Sequence, residues 1–561
     1  MTRSLWLRTL AQPGRSAVLA AILGAGAMLA SSSPSVAAAP KVSTDKGVVI
    51  GFVEDGVARF YGIPYAKPPI GKLRWRPPVE PEAWKKPLQA TKFGPQCLQV
   101  TTLGPFAGPQ NTNEDCLYLN VYAPQSAIGG GRKLPVIVWI HGGGNVDGAS
   151  DAYDGSKMAT DGKTIVVTLN YRLNLMGFFA HPAINAEGHL FANYGVMDQQ
   201  AVLKWVQANI GKFGGDAGNV TLGGQSAGAS DTMANMTSPL AKGLFHRAIL
   251  QSGVGSTTPL ATAETNAKNM SVAAGCGSGT DEDTAKCLRK LPAEKIFDLA
   301  GTQSANGPYI SGLIEDGQII QRRFVDTIAS GDFNKMPVMS GATIDEAMFS
   351  LGITQYFREG RTPLTKADYD ARIATYGGPT FPENAQERVK KLYPLSAYES
   401  PLLALDAIQT DTTQCTQHNT NVLLSGQVPV YAYQFADRTA PTYFPKMEGY
   451  LSLAYHTADI QYLFIGWHGG NEGIPHDLNK KQRKLSDELV EAWTNFAWSG
   501  NPNGSGDSPW PRFKNKKNLP GILEQNIPFS TAITDAAFTA EHKCQLWDSI
   551  LSYHPLKTAT N

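Results

Sequence analysis

Several features that mark specialised classes of protein are missing from this sequence. Basic and acidic residues nearly balance, 49 against 48, so no surplus of positive charge indicates nucleic acid as a partner. No internal period suggests a solenoid. There is no Cys-x-x-Cys pair and no His-rich cluster, so no metal site is predicted. With 561 residues, 42% of them hydrophobic, the chain has the composition of a globular protein rather than of a disordered or fibrous one.

Long apolar runs are also missing, except near the start of the chain. Arginines precede an apolar run at residues 16–30, and small residues follow it up to Ala39. This order is typical of a secretory signal peptide. A membrane anchor is the alternative, but the run is short for a span of about 20 residues. We therefore predict a signal peptide at 1–39, no membrane span in the mature chain, and export to the periplasm or the extracellular medium.

Cysteine is scarce but even in number, which matters in an exported chain because disulfides persist in oxidising compartments. Six cysteines allow fifteen pairings, and sequence alone does not choose among them. Close spacing favours Cys97–Cys116 and Cys276–Cys287 as small closed loops, which leaves Cys415–Cys544 as the remaining pair. Buried free thiols are the alternative.

Short apolar runs alternate with helix-like stretches along most of the chain. Continuous apolar runs favour strands that are covered on both faces, and strand–helix alternation favours a mostly parallel sheet with helices on both sides. The stretches at 253–337 and 345–427 lack strong strands and are predicted to be helical insertions. The predicted strands are 134–140, 164–169, 220–222, 247–250, 336–339 and 428–435, and the clearest helices are 194–212 and 485–496.

A G-x-S-x-G box at 224–228 contains the candidate nucleophile Ser226. It follows a predicted strand and precedes a helix, and small neighbours let such a turn hold the serine hydroxyl out toward a substrate. Alone, the box fits a structural turn equally well. A His-Gly-Gly-Gly loop at 141–144, directly after another strand, favours catalysis, because backbone N–H groups can stabilise the oxyanion of acyl transfer. The predicted donors are Gly143, Gly144 and Ala227.

A serine nucleophile needs a base and an orienting acid. In mostly parallel sheets with such a serine turn, these residues come along the chain in the order Ser, acid, His. Glu346 follows a predicted strand and is the candidate acid, with Asp345 as its adjacent rival. His456 follows a later strand and is the favoured base. Histidines that come after the acid and remain open as candidates are His418, His456, His468, His476, His542 and His554.

Several further motifs together make a recognisable set. They lie at 60–69, 73–75, 114–121 (EDCLYLNV), 141–144, 170–172, 213–216 and 243–253. In these motifs the chain resembles the type-B carboxylesterases, the group that includes bacterial para-nitrobenzyl esterases and the cholinesterases. The resemblance implies an α/β-hydrolase fold and a Ser–Glu–His triad, with the acid at Glu346 and the base at His456.

The same resemblance supports the three disulfides and implies that two pairs of charged residues are structural, namely Arg74–Glu114 and Arg172–Asp198. Two departures stand out. Gln225 occupies the position before the nucleophile where many relatives have Glu, and Phe106 is the only aromatic residue between the first two cysteines. A cation site would lack both a nearby carboxylate and its best aromatic surface, so choline esters are not expected to be preferred.

We therefore predict an α/β-hydrolase at 40–561, a single domain that hydrolyses small carboxylic esters through an acyl-enzyme. The chemistry needs no cofactor, and nothing in the sequence indicates an oligomeric state. A specialised lipase, toxin-ester or amide hydrolase is the alternative, because the triad does not distinguish them. A binding module on the same fold is a further alternative, but such relatives typically lose the Ser or the His.

Overall fold

A large twisted sheet organises the structure. The computed structural model describes residues 39–100, 103–106, 109–300, 309, 311–466, 469–470, 473–504 and 509–551. The predicted signal peptide at 1–39 lies outside these residues, apart from its last position. In the described part of the chain, eleven strands pair in the order β18-β17-β16-β15-β12-β11-β7-β8-β6-β4-β3.

The strands are, in chain order, β1 Lys41–Ser43, β2 Val48–Ile50, β3 Phe52–Glu54, β4 Val57–Pro64, β5 Leu88–Gln89, β6 Tyr118–Pro124, β7 Leu134–Ile140, β8 Ile165–Leu169, β9 Phe178–Phe179, β10 Ala192–Asn193, β11 Gly215–Gln225, β12 Arg247–Gln251, β13 Thr258–Pro259, β14 Ile314–Glu315, β15 Val338–Thr343, β16 Val430–Phe435, β17 Pro520–Gln525 and β18 Thr531–Thr534. The strands from β8 to β17 in the sheet order run parallel, and the remaining pairings at both edges are antiparallel.

The α-helices are α1 Ser156–Thr160, α2 Asn174–Gly177, α3 Pro182–Asn185, α4 Tyr194–Asn209, α5 Ala227–Thr237, α6 Leu260–Ala274, α7 Glu282–Lys290, α8 Ala293–Ala300, α9 Phe324–Ser330, α10 Met348–Tyr356, α11 Lys366–Ala374, α12 Ala385–Leu392, α13 Pro401–Ser425, α14 Ile460–Leu463, α15 Lys480–Ser499, α16 Asp535–Glu541 and α17 Cys544–Ile550. Helices α6–α9 lie in the first predicted insertion, together with the short strands β13 and β14, and helices α10–α13 lie in the second. The described parts of both insertions are therefore mainly helical, as predicted.

The register of the parallel strands brings their carboxyl ends to one edge of the sheet. Gly224 pairs with Ile140, Gln225 pairs with Gln251, and Gln251 pairs with Gly341. Loops that follow these strands therefore start side by side. Functional residues in open α/β sheets gather at this edge.

The continuous apolar strands form where they are predicted, although β11 extends beyond the predicted 220–222 and β15 lies at Val338–Thr343 rather than 336–339. Several outer strands were not predicted. The strand β7 has the predicted bounds, and all seven of its residues are buried. By contrast, β4 contains Gly62 and Pro64, and β17 starts with Pro-Gly. Glycine and proline weaken a strand pattern, so these two outer strands resemble loops in sequence.

Covalent and ionic links brace the sheet's surroundings. The structure joins Cys97 to Cys116, Cys276 to Cys287 and Cys415 to Cys544, which are the favoured pairings. It also contains both ion pairs that the resemblance implies. Arg74 Nε lies 2.8 Å from Glu114 Oε2, and Arg172 Nη2 lies 2.7 Å from Asp198 Oδ1.

Asp198→Asn is expected to lower the free energy of unfolding by about 3–5 kcal/mol, because it leaves a buried guanidinium without its charged partner. The side chains of Arg172 and Asp198 are 2% and 0% exposed. Denaturant titration measures the loss. The matched control is Asp370→Asn in the exposed Lys366–Asp370 pair, where less than about 1 kcal/mol is expected. Equal losses in the two variants would contradict the structural role of the buried pair.

Candidate active site

Ser226 lies in a strained turn between a strand and a helix. It comes directly after β11 and directly before α5, and its backbone has φ 59° and ψ −124°. Non-glycine residues rarely adopt positive φ, and such strain is concentrated at functional sites. The Ser226 N–H donates to the Gln251 carbonyl at 2.8 Å. The turn is therefore fixed to the neighbouring strand β12.

The glycines of the box are needed because backbone segments meet there. A Cβ on Gly228 would lie 2.1 Å from the Ile140 carbonyl oxygen, and a Cβ on Gly224 would lie 2.4 Å from the carbonyl carbon of Gly228. Real Cβ atoms do not approach other atoms so closely. A Cβ on Gly142 would lie 3.1 Å from Ser226 Cβ. The G-x-S-x-G pattern thus follows from the contact between the last residues of β7 and β11 and the first turn of α5.

The glycine loop after β7 turns back on itself beside Ser226. The Gly143 carbonyl accepts hydrogen bonds from Val146 N–H at 3.0 Å and Asp147 N–H at 3.1 Å. Gly143 and Gly144 have φ values of 112° and 62°, which favour glycine. A Cβ on Gly143 would meet the Asp147 carbonyl at 2.0 Å. The loop therefore turns tightly beside Ser226 and carries no side chains at these two positions.

A buried polar network ties this loop to α5, and sequence reasoning missed it. Asn145 donates to Asp231 at 2.9 Å, and Gln199 donates to the other Asp231 oxygen at 2.6 Å. Tyr171 O–H contacts the Asn145 side-chain oxygen at 2.9 Å and the His141 carbonyl at 3.0 Å. Burial raises the pKa of Asp231 to about 7, although these donors oppose the rise. No motif in the sequence links these positions.

Glu346 contacts the imidazole of His456. One Glu346 oxygen pairs with His456 Nδ1. The other accepts from Ser252 Oγ at 2.6 Å and from Thr343 N–H at 2.7 Å. Burial disfavours the charged carboxylate, but the imidazole and these donors outweigh it and hold the pKa of Glu346 below its usual range. The carboxylate is thus ionised and fully engaged at neutral pH.

Asp345, the rival acid, points elsewhere. Its carboxylate pairs with Arg438, with Nε–Oδ2 and Nη2–Oδ1 distances of 2.8 Å, and accepts from Ala454 N–H at 3.1 Å. Its backbone pairs with Tyr455 in an isolated parallel bridge. Asp345 therefore positions the segment that carries His456, whereas Glu346 contacts the imidazole itself.

Of the other candidate histidines, the three that the structure describes have no hydrogen bond to Glu346. His418 contacts Asp535 and His542 contacts Asp411, both in buried pairs, and His476 is exposed. His468 and His554 lie outside the described residues. For His456, burial favours the neutral ring, but the Glu346 charge and hydrogen bond outweigh it and raise the pKa.

Ser226 and His456 line one cavity of about 310 Å³. Its wall comprises Phe93, Gln96, Leu103, Gly142, Gly143, Asp147, Gly148, Ala149, Asp151, Ala152, Tyr153, Gln225, Ser226, Phe349, His456, Thr457, Gly469 and Gly470. Of the three predicted oxyanion donors, Gly143 belongs to this wall, whereas Gly144 and Ala227 adjoin it in sequence. The hydrogen bonds of the His456 ring to described residues run to Glu346 and, from Nε2, to Gln225.

Comparison with known proteins decides the family. The model of the carboxylesterase family matches residues 38–547. The chain belongs to the carboxylesterase family. It is accordingly a carboxylic ester hydrolase of the serine hydrolase type.

Individual carboxylesterases are similar over nearly the whole chain. A liver carboxylesterase of Sus scrofa is 32% identical over 93% of this chain and 94% of its own length. A fumonisin B1 esterase of Sphingopyxis macrogoltabida is 34% identical over 85% of each. The solved structure of a PNB esterase is 30% identical, with a TM-score of 0.70 over 90% of this chain and 99% of that chain. The α/β-hydrolase fold is thus confirmed.

Neither a metal cluster nor a spanning helix is found where the structure describes the carboxylesterase chain. No group of three or more His, Cys, Asp or Glu side chains is arranged there to hold a metal ion. None of the helices in the described ranges combines the length and the hydropathy required to cross a bilayer.

Gly228→Ala is expected to lower kcat/KM for p-nitrophenyl esters by about 100-fold or more. The added methyl group cannot occupy a point 2.1 Å from the Ile140 carbonyl oxygen, so the turn must shift, and a displacement of about 1 Å costs on this order. Gly211→Ala is the control, because a Cβ there meets nothing within 4 Å. Full activity in Gly228→Ala would contradict the steric account of the turn.

Proposed function

We propose that the protein is a secreted serine esterase that works through Ser226, His456 and Glu346 and an acyl-enzyme intermediate. The observation that carries this proposal is the contact between Glu346 and His456 Nδ1, on the wall of the cavity that contains Ser226. An ionised acid on one ring nitrogen leaves the other nitrogen to act as a base toward a hydroxyl. Ser226 is the nucleophile, His456 is the base, and Glu346 is the acid that orients the base.

Acylation starts when His456 Nε2 takes the Ser226 hydroxyl proton and Oγ attacks the ester carbonyl carbon. The carbonyl π electrons move onto oxygen, which becomes an oxyanion. The N–H groups of Gly143, Gly144 and Ala227 are the proposed donors to it, supported by the tight glycine loop and the start of α5; one such donor is worth about 10²–10³ in rate. His456 then gives its proton to the leaving alcohol as the C–O bond breaks.

Deacylation repeats the sequence with water as the nucleophile. His456 takes a proton from water, the hydroxide attacks the acyl carbon, and the proton returns to Ser226 Oγ as the acid product leaves. Glu346 remains ionised throughout and stabilises the imidazolium that forms twice in each cycle. Its three donors besides the ring, Ser252 Oγ and the Thr343 N–H and hydroxyl, support this role.

Export is the second part of the proposal. A signal peptide at 1–39 followed by a single catalytic domain at 40–561 accounts for the N-terminal pattern, and residues 39–561 cluster into one compact unit. Three disulfides suit an oxidising compartment outside the cytoplasm. The location is then the periplasm or the medium.

The proposed substrates are small esters, since a cavity of about 310 Å³ is at the lower end of small-molecule sites. The similarity to a fumonisin B1 esterase keeps a toxin ester as a second candidate substrate. Rates on esters with graded acyl and alcohol parts distinguish the two, because a toxin-specific enzyme would turn over simple esters poorly.

Ser226→Ala is expected to abolish turnover of p-nitrophenyl esters, because the variant has no nucleophile and only the cavity and the oxyanion donors remain. A loss of about 10⁴-fold or more in kcat is of the expected order. Circular dichroism checks that the fold survives. Substantial turnover by a well-folded Ser226→Ala protein would overturn the assignment of the nucleophile.

Glu346→Gln and Asp345→Asn separate the two adjacent carboxylates. Glu346→Gln should lower kcat by up to about 10⁴-fold, because an amide no longer stabilises the imidazolium or selects its tautomer. Asp345→Asn removes an ion pair with Arg438. It should lower the melting temperature but change kcat much less than Glu346→Gln does. A larger loss of kcat in Asp345→Asn, measured below its unfolding temperature, would reverse the assignment.

A further inference from the structure

The outer nitrogen of the His456 ring already has a neighbour other than Ser226. His456 Nε2 lies 3.0 Å from Gln225 Nε2. A side-chain NH₂ group only donates, so the ring nitrogen facing it must supply a lone pair. Because Nδ1 faces the Glu346 carboxylate, the proton of the neutral ring belongs on Nδ1. The two contacts together select one tautomer, with Nε2 unprotonated.

Gln225 is held rigidly where it makes this contact. It is the last residue of β11, it is 1% exposed, and its backbone pairs in register with Gln251. The glycine loop at 141–144 packs against the Gln225 side chain, since a Cβ on Gly142 would lie 3.1 Å from Gln225 Oε1. The amide therefore has little room to turn away from the imidazole.

The contact uses the lone pair that catalysis needs. In the proposed mechanism Nε2 must accept the proton of the Ser226 hydroxyl, and a nitrogen lone pair accepts one hydrogen bond well. Gln225 and Ser226 are adjacent in sequence and line the same cavity. A rotation of the ring that exchanged the Gln225 amide for the Ser226 hydroxyl would let the same Nε2 lone pair accept from the hydroxyl instead.

We propose that Gln225 is a positioning residue, whose amide donates to His456 Nε2 in the resting enzyme and is exchanged for the Ser226 hydroxyl when the base acts. This inference rests on the proposed role of His456. It gives a function to the residue at which this chain departs from the Glu that many carboxylesterases carry before the nucleophile. A carboxylate there would accept from a protonated ring, whereas the amide favours a neutral ring.

Several charges act on the ring at the same time. Glu346 and Asp459 both favour imidazolium, and burial opposes them. Asp147 and Asp151 lie across the same cavity wall. Against the charges of Glu346 and Asp459, the Gln225 amide is a donor that stabilises the neutral ring directly at Nε2.

Gln225→Met removes the donor while keeping the length of the side chain. The acid limb of the kcat/KM–pH profile, where activity is lost as the base becomes protonated, should move up by about half to one pH unit. Gln225→Glu should move it up by about one to three units, because a carboxylate at hydrogen-bond distance stabilises imidazolium. Gln96→Met is the control, since that amide lines the cavity but donates to Asp151 at 2.9 Å; it should leave the limb in place.

A second readout separates this inference from the proposed function. Histidine labelled with ¹³C at Cε1 reports the titration of each ring by NMR, and the His456 signal is assigned by its loss in His456→Gln. The His456 midpoint should rise in Gln225→Met as the rate profile does. An unchanged or lower midpoint would overturn the role of Gln225. A raised midpoint with an unchanged rate profile would leave the contact standing and show instead that His456 is not the base.

Discussion

The close approach of three backbone segments at one point is the constraint on which the active site depends. The end of β7, the end of β11 and the first turn of α5 meet so tightly that Gly224 and Gly228 have no room for a side chain. Ser226, between them, is forced into positive φ. The same crowding brings the glycine loop after β7 beside the serine. Ser226 and the glycine loop are thus positioned by one steric condition, and the parallel register of the sheet maintains it.

Charge is organised around that point by carboxylates with different environments. Glu346 is buried yet keeps a lowered pKa, because the imidazole and three hydrogen bonds favour its ionised form. Asp459, near the same ring, has its pKa raised to about 7 by burial and by the charge of Glu346. The charge of the adjacent Asp345 is balanced by an ion pair with Arg438. Environment, rather than residue type, therefore determines which carboxylate can serve the histidine.

Much of this arrangement could be predicted from the sequence, because its parts are contiguous. The turn at Ser226, the glycine loop and the buried strand β7 each occupy a short segment with a clear physical signature. The contact between Gln225 and His456 joins positions 231 residues apart, and that between Asp345 and Arg438 joins positions 93 apart. Contacts of this range depend on how the insertions pack. The outer strand β4 escaped prediction for a local reason, since its Gly62 and Pro64 weaken the strand pattern.

The central claim is that Ser226 is the group that attacks the acyl carbon. The most direct measurement is the mass of the protein and of its peptides after reaction with a fluorophosphonate, which phosphonylates a serine activated by a base. The account predicts one phosphonyl group per chain, on the peptide that contains Ser226, at a rate that falls by orders of magnitude in His456→Gln. Labelling at another residue, or no labelling of a protein that still hydrolyses esters, would contradict it.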